Sequence, residues 1–168
     1  MHDNSEEIFP VVDESGNTIG KATRGECHGG ARLLHPVVHL HVYDKDGNLY
    51  LQKRPDWKDI QPGRWDTAVG GHVGFGEDIG SALAREAREE LGLAGFKATH
   101  ILTYAFESDR ERELINVFRT VYEWTPRPSA ELDGGRFWTP DEIEAMLGKG
   151  IFTPNFEQEY RRIKLLNF

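Results

Sequence analysis

The sequence predicts one α/β domain in which a mixed β-sheet is flanked by helices and preceded by an N-terminal β-hairpin. Short β-prone runs come in pairs with turn residues between them, few helices separate the pairs, and one amphipathic stretch occupies the middle of the chain. At 168 residues the chain suffices for one domain with a substantial core and is short for two. Residues 1–6 read as a flexible tail and residues 7–168 as the domain, with no internal repeat, low-complexity segment or linker.

Ile8 to Val12 and Thr18 to Ala22 flank the turn-rich Asp13-Glu14-Ser15-Gly16-Asn17 and form the hairpin. Arg24 to Leu34 is read as a glycine-containing connection carrying Cys27 and His28. From His35 to Tyr43 the residues alternate as in a strand, with Val38, Leu40 and Val42 on one face and His35, Val37, His39 and His41 on the other. Asp46-Gly47 turns the chain into a second hairpin strand, Leu49 to Lys53. The long loop Arg54 to Gly63, mixed in charge, is a surface crossing of the kind that often carries function. Trp65 to Val73 leads into the amphipathic stretch. Beyond it, Ala98 to Phe106 and Leu114 to Trp124 are strands joined by the charged segment Glu107 to Glu113, and Pro126 and Pro128 break regular structure after the second of them. Thr139-Pro140-Asp141-Glu142 sets an N-cap, a first-turn proline and a capping-box glutamate, so a helix runs to Leu147 and stops at Gly148. Thr153-Pro154 begins a last helix, through about Leu166.

A formal charge of −8 argues against gripping nucleic acid polymers by bulk electrostatics, though an acidic protein can take a polyphosphate when metal ions bridge the two. The single cysteine, Cys27, excludes an internal disulfide and fits a reducing compartment. Neither a membrane-length apolar run nor a signal-peptide start is present, so cytoplasmic residence is expected. Oligomeric state is left open, a homodimer included.

The central stretch, Gly71 to Leu93, reads GHVGFGEDIGSALAREAREELGL. As a helix from about Asp78 it aligns Ile79, Ala82, Leu83, Glu86, Glu89, Glu90 and Leu93 on one stripe. Three glutamates continuing an apolar stripe repel one another unless a cation neutralises them, most simply a divalent metal. The plainer alternative is a solvated face with Arg85 or Arg88 as ion-pair partners. Hard oxygen ligands suit Mg²⁺ or Mn²⁺. Gly71 and Gly76 allow a tight turn before the helix, and Gly92 allows a left-handed cap after it.

Gly71, Glu77 and Arg85-Glu86-Ala87-Arg88-Glu89-Glu90-Leu91-Gly92-Leu93 match every fixed position of the Nudix hydrolase signature, and on those residues the chain resembles that family. The resemblance implies an α/β/α sandwich and a metal-dependent pyrophosphohydrolase. Glu86 and Glu90, with the Gly71 carbonyl and help from Glu89, would hold the ions, while Glu77 and Arg85 would keep loop and helix in register. Glu89, Glu111 and Glu113 are the candidates for general base.

A second constellation comprises His28, His35, His72, Glu111 and Glu113. Singly, each is an ordinary surface or packed residue. Together they resemble, in order and local spacing, the three histidines and two glutamates with which type I isopentenyl-diphosphate isomerases, a branch of the same superfamily, hold a metal. In that branch a basic pair binds substrate diphosphate, and Arg54 and Lys58 occupy the matching positions ahead of Pro62-Gly63-Arg64-Trp65. Two departures weigh against isomerisation. Gly70 stands where the catalytic cysteine belongs, and glycine cannot move a proton. The signature glutamates, part of which such isomerases lack, are all present.

The expected function is therefore Mg²⁺- or Mn²⁺-dependent hydrolysis of a small-molecule diphosphate, a nucleoside diphosphate linked to another group or a nucleotide. An isomerase-like enzyme on an isoprenoid diphosphate is the first rival. A non-catalytic nucleotide-binding module is the second, and it would be marked by lost glutamates. Imidazole and carboxylate together favour Mn²⁺ or Zn²⁺ at the histidine cluster.

Overall fold

The structure, a computed structural model, describes residues 5–57, 61–122, 126 and 134–166. The expected tail as far as residue 4, Lys58, Trp124 at the expected end of a strand, and Pro128 lie outside the described residues.

The strands are β1 (Ile8–Val12), β2 (Thr18–Thr23), β3 (Leu34–Tyr43), β4 (Leu49–Lys53), β5 (Trp65–Thr67), β6 (Val69–His72), β7 (Thr99–Glu107), β8 (Arg112–Val121) and β9 (Gly135–Trp138). The helices are α1 (Arg24–His28), α2 (Ile79–Leu91), α3 (Pro140–Met146) and α4 (Pro154–Lys164). β1 and β2 form the expected N-terminal hairpin as a sheet of their own, and the other seven strands form one mixed sheet.

β3 is the hub. Along its whole length it pairs in parallel with β8, from Leu34↔Arg112 to Tyr43↔Val121. On its other edge, Val37 to Leu40 pair antiparallel with β6 and its last two residues with β4. Both faces of β3 are covered, which explains why the histidine face of the expected alternation is also largely buried. Val38, Leu40 and Val42 pack with Ala82, Leu83, Ala87 and Leu91 of α2 on one side, whereas Ile163 of α4 packs with Val37, Ile115 and Val117 on the other. Two helical faces thus sandwich the sheet. Each fully buried aliphatic side chain contributes about 1.5–3 kcal/mol.

Helix α2 starts at the Asp78 cap, whose side chain accepts from the Ser81 amide, and ends at Gly92 in the left-handed region, with φ 67°. α3 carries the expected capping box between Thr139 and Glu142.

Two elements differ from the sequence reading. Arg24 to Leu34 is not simply a connection, because Arg24–His28 is a short helix whose Thr23 and Glu26 form a capping box. β9 was not anticipated. It pairs with β4 from Leu49↔Trp138 to Gln52↔Gly135, and a Cβ at Gly135 would come 2.4 Å from the Tyr50 hydroxyl oxygen. The charged segment Glu107 to Glu113 is also shorter as a loop than expected, since β7 runs to Glu107 and β8 starts at Arg112. Among the described residues, no helix is long and apolar enough to cross a membrane.

Candidate active site

The residues before α2 form a loop clamped to the helix by one arginine. Arg85 donates from Nε to Glu77 Oε2 at 2.8 Å, and from Nη2 to Glu77 Oε1 at 2.9 Å and to the His72 carbonyl at 3.0 Å. Glu77 also accepts from the Gly74 amide at 2.9 Å. A bidentate pair of this kind fixes direction as well as distance. It holds the Glu77 carboxyl below the usual carboxylate range, despite partial burial. Arg85 Nη1 then donates to Glu86 Oε1 at 2.8 Å, so the clamp also orients the first glutamate facing β6.

Glu86 lies hard against Gly71: a Cβ there would fall 2.2 Å from Glu86 Cδ. This close approach requires glycine at position 71, whereas the turn before the helix is made by Gly76, with φ 83°. One turn further along α2, Glu90 Oε1 accepts from the Gln52 side-chain amide at 3.2 Å, and the same nitrogen reaches the Ala68 carbonyl at 3.2 Å. Glu90 Oε2 is buried without a hydrogen-bond partner. Burial, and then the neighbouring Glu86 carboxylate, push the Glu90 carboxyl well above its ordinary range. Two carboxylates sharing a site with one oxygen left over form a donor set that a hard divalent cation fits.

Glu89 is a correction to the stripe expected from the sequence. Its side chain is 56 % exposed and meets Arg85 at 3.4 Å, because the buried positions of α2 are Ala82, Leu83, Ala87 and Leu91. Those residues turn Glu86 and Glu90 toward β6 and leave Glu89 on the solvent side. The sequence alone does not mark Gln52 as part of the site. A polar residue closing a buried strand run was its only signal.

Four of the five residues of the histidine constellation come together. His28 comes from α1, His35 from β3, His72 from β6 and Glu113 from β8, and one ligand atom from each lies within 4.8 Å of all the others. His35 Nδ1 donates to the Leu33 carbonyl, at 2.9 Å, which leaves Nε2 as the lone-pair nitrogen. Nε2 of His28, His35 and His72 are all buried without a hydrogen-bond partner. Burial and then its neighbouring imidazoles push His28 down to about 4, and burial also lowers His35, so both rings are neutral and able to bind an ion at physiological pH. Glu111 stands at the edge, 3.2 Å from His28 Nε2, outside the four-residue cluster. Phe9, fully buried, stacks on the His72 ring at 4.7 Å and closes the cluster from the hairpin side. Arg54 lies 3.8 Å from the Asp66 carboxylate. Lys58, its expected partner in binding diphosphate, is outside the described residues.

An uncharacterised Nudix hydrolase of Yersinia pestis is 32% identical over 171 residues, covering 94% of this chain and 92% of its own. An isopentenyl-diphosphate Delta-isomerase of Leifsonia xyli is 32% identical over 152 residues, covering 86% of this chain and 81% of its own. Among solved structures, a Deinococcus radiodurans protein superposes with a TM-score of 0.79 at 24% identity, covering 94% of this chain and 99% of its own, and so shares the fold. The NUDIX domain model matches residues 33–156, a span that holds β3, the clamped loop and all of α2. The chain belongs to the Nudix hydrolases, which act on pyrophosphate bonds.

Proposed function

We propose that this chain is a Mg²⁺- or Mn²⁺-dependent pyrophosphohydrolase acting on a nucleoside diphosphate linked to another group, or on a nucleotide. The observation that carries this reading is the pair Glu86 and Glu90 pressed against β6, with Glu90 Oε2 buried and unpartnered. Glu86, Glu90 and the Gly71 carbonyl would hold the ion. When bound there, a divalent cation would supply Lewis-acid polarisation of a diphosphate and a lowered pKa for an attacking water.

The chain's own residues do the positioning. Arg85 fixes Glu86 and, through Glu77 and the His72 carbonyl, the loop that presents Gly71. Gln52 fixes one oxygen of Glu90, which leaves the other for the ion. Of the three carboxylates considered as general base, Glu111 and Glu113 lie beside histidines. Glu89, exposed beside Arg85, is the base we assign. Arg54 and Lys58 are assigned to the substrate's diphosphate, and the buried lone Cys27 supports a cytoplasmic location.

The test is turnover of a nucleotide-sugar, dinucleotide, nucleoside-triphosphate and coenzyme A panel by wild type and Glu90→Gln. A kcat at least about a hundredfold lower in the variant, with no turnover in excess chelator, is expected. Full activity in either condition contradicts the assignment.

The histidine cluster supports a second reading, isomerase-like chemistry on an isoprenoid diphosphate, and the Leifsonia relative bears that name. Gly70 weighs against it, because it brings no proton-transferring side chain to the position beside His72.

A further inference from the structure

Glu159 of α4 is a carboxylate buried to 1% exposure on the sheet face opposite α2. Three donors converge on it: His39 Nδ1 at 2.8 Å and the Tyr104 hydroxyl at 2.6 Å on Oε1, and His41 Nε2 at 2.6 Å on Oε2. A carboxylate only accepts, so His39 carries its proton on Nδ1 and His41 on Nε2. Exchanging such a buried cluster for apolar residues is often neutral or stabilising, which makes fold stability a weak reason for it.

His39 differs from the other two partners in that its ring has an open edge. His41 is 1% exposed, and Tyr104 lies under the Arg162 guanidinium at 4.4 Å, whereas the His39 side chain is 16% exposed. Across the ladder from His39 is Gly70, where a Cβ would stand 3.3 Å from His39 Cδ2 and 3.5 Å from Nε2. The glycine therefore leaves room over the nitrogen that Glu159 does not use. Among the described residues, Nε2 of His39 has no partner of its own. The other carboxylates that act on His39 are already engaged. Asp66 accepts from Thr153 Oγ1 at 3.0 Å and from the Thr67 amide at 2.8 Å, with Arg54 at 3.8 Å. Glu113 lies 3.6 Å from His72 and 3.9 Å from His35.

We propose that His39 is a phosphate-binding group: its Nε2–H, held toward the space left by Gly70, donates to an anionic phosphoryl oxygen of the substrate. That the ligand is a phosphorylated substrate rests on the pyrophosphohydrolase reading. The site lies on the histidine-cluster face, because the register sets His72 opposite Val37 and Gly70 opposite His39, two steps apart on each strand. Burial works against a charge on His39, but the charge and hydrogen bond of Glu159 overcome it and push the ring up to about 9. Both nitrogens then carry protons at neutral pH, as a charge-assisted contact to phosphate requires.

Long-range ¹H–¹⁵N correlation of the histidine rings, with inorganic pyrophosphate titrated into the Mg²⁺-loaded protein, tests the site. The His39 Nε2 resonance is expected to move to saturation while exposed His100 stays in place. His39→Gln should weaken pyrophosphate binding about tenfold or more. Gly70→Val, which fills the space and leaves His39 and Glu159 paired, should weaken it similarly. A His39 resonance that does not move, or either variant binding as wild type does, overturns the proposal. Failure of the hydrolase reading is seen separately: the nucleotide panel is then not turned over, while the His39 resonance still responds.

Discussion

Glu159→Gln isolates the charge that α4 brings to β3. The substitution keeps the side chain's size and removes the carboxylate, whose charge and hydrogen bond raise His39 from 6.5 to about 9 against the cost of burial. At ~1.36 kcal/mol per unit, that rise is worth about 3 kcal/mol of preference for the imidazolium in the folded state. Because the folded value of His39 is raised, the contribution is whole below pH 6.5 and is lost as pH climbs through about 9. Glu159 is depressed in the folded protein, so the same pair is also lost as pH falls below 4.5 through its folded value. These describe one interaction and do not add. Urea unfolding of wild type and variant from about pH 6 to 10 reads the result. The variant should lose about 3 kcal/mol more stability near pH 6 than near pH 10, where this pH-dependent part vanishes. A fixed cost remains beneath it, because the amide NH₂ that replaces one carboxylate oxygen now faces the donors that oxygen accepted from. A stability difference independent of pH over that range would refute the charged pair.

Four further outcomes are expected. Gly71→Ala places a methyl group where Glu86 Cδ would be 2.2 Å away, so the carboxylate must leave β6. Mn²⁺ affinity and kcat should each fall at least about tenfold with the circular dichroism spectrum unchanged, and a variant with wild-type affinity would show that Glu86 does not need this contact. Isopentenyl diphosphate should not be isomerised, given Gly70; product analysis showing turnover at enzymatic rates would displace hydrolysis as the main function. His35→Ala should reduce bound Mn²⁺ or Zn²⁺ by one ion in equilibrium dialysis, with unchanged stoichiometry counting against the cluster as a metal centre. In the wild type, acid release of that ion should begin below the ~6.5 of a free imidazole, because burial and neighbouring imidazoles have already pushed His28 down to about 4.

What could be read from the sequence was set by how local its cause is. Helix α2 announced itself through features within one stretch: the Asp78 cap, the Gly92 stop and an apolar repeat. The capping box fixed α3 in the same way. The short helix α1 carries a capping box too, Thr23 with Glu26, but Gly25 and Gly29-Gly30 around it made the segment read as a connection. β9 has only four residues and depends on β4 for its hydrogen bonds, so nothing inside Gly135–Trp138 marks it as a strand.

The site divides along the same line. Glu86 and Glu90 were legible because one helix carries both. Glu89 is not legible in this way, because the apolar stripe has finite width, and whether a flanking glutamate faces the sheet or water depends on where Ala87 and Leu91 seat the helix. The roles of Gln52 and His39 are hidden for a deeper reason. The roles of these residues exist only through partners far along the chain, Glu90 for one and Glu159 for the other. No spacing rule connects a strand residue to a helix more than a hundred positions later, so His39 looked like one more member of an alternating strand. The histidine cluster is as dispersed, across α1, β3, β6 and β8, yet it was found, because a metal needs several ligands of restricted type and a resemblance can supply their order. A two-residue pairing offers no such redundancy. In this chain the residues most in need of coordinates are those that position a reactive group through one long-range hydrogen bond.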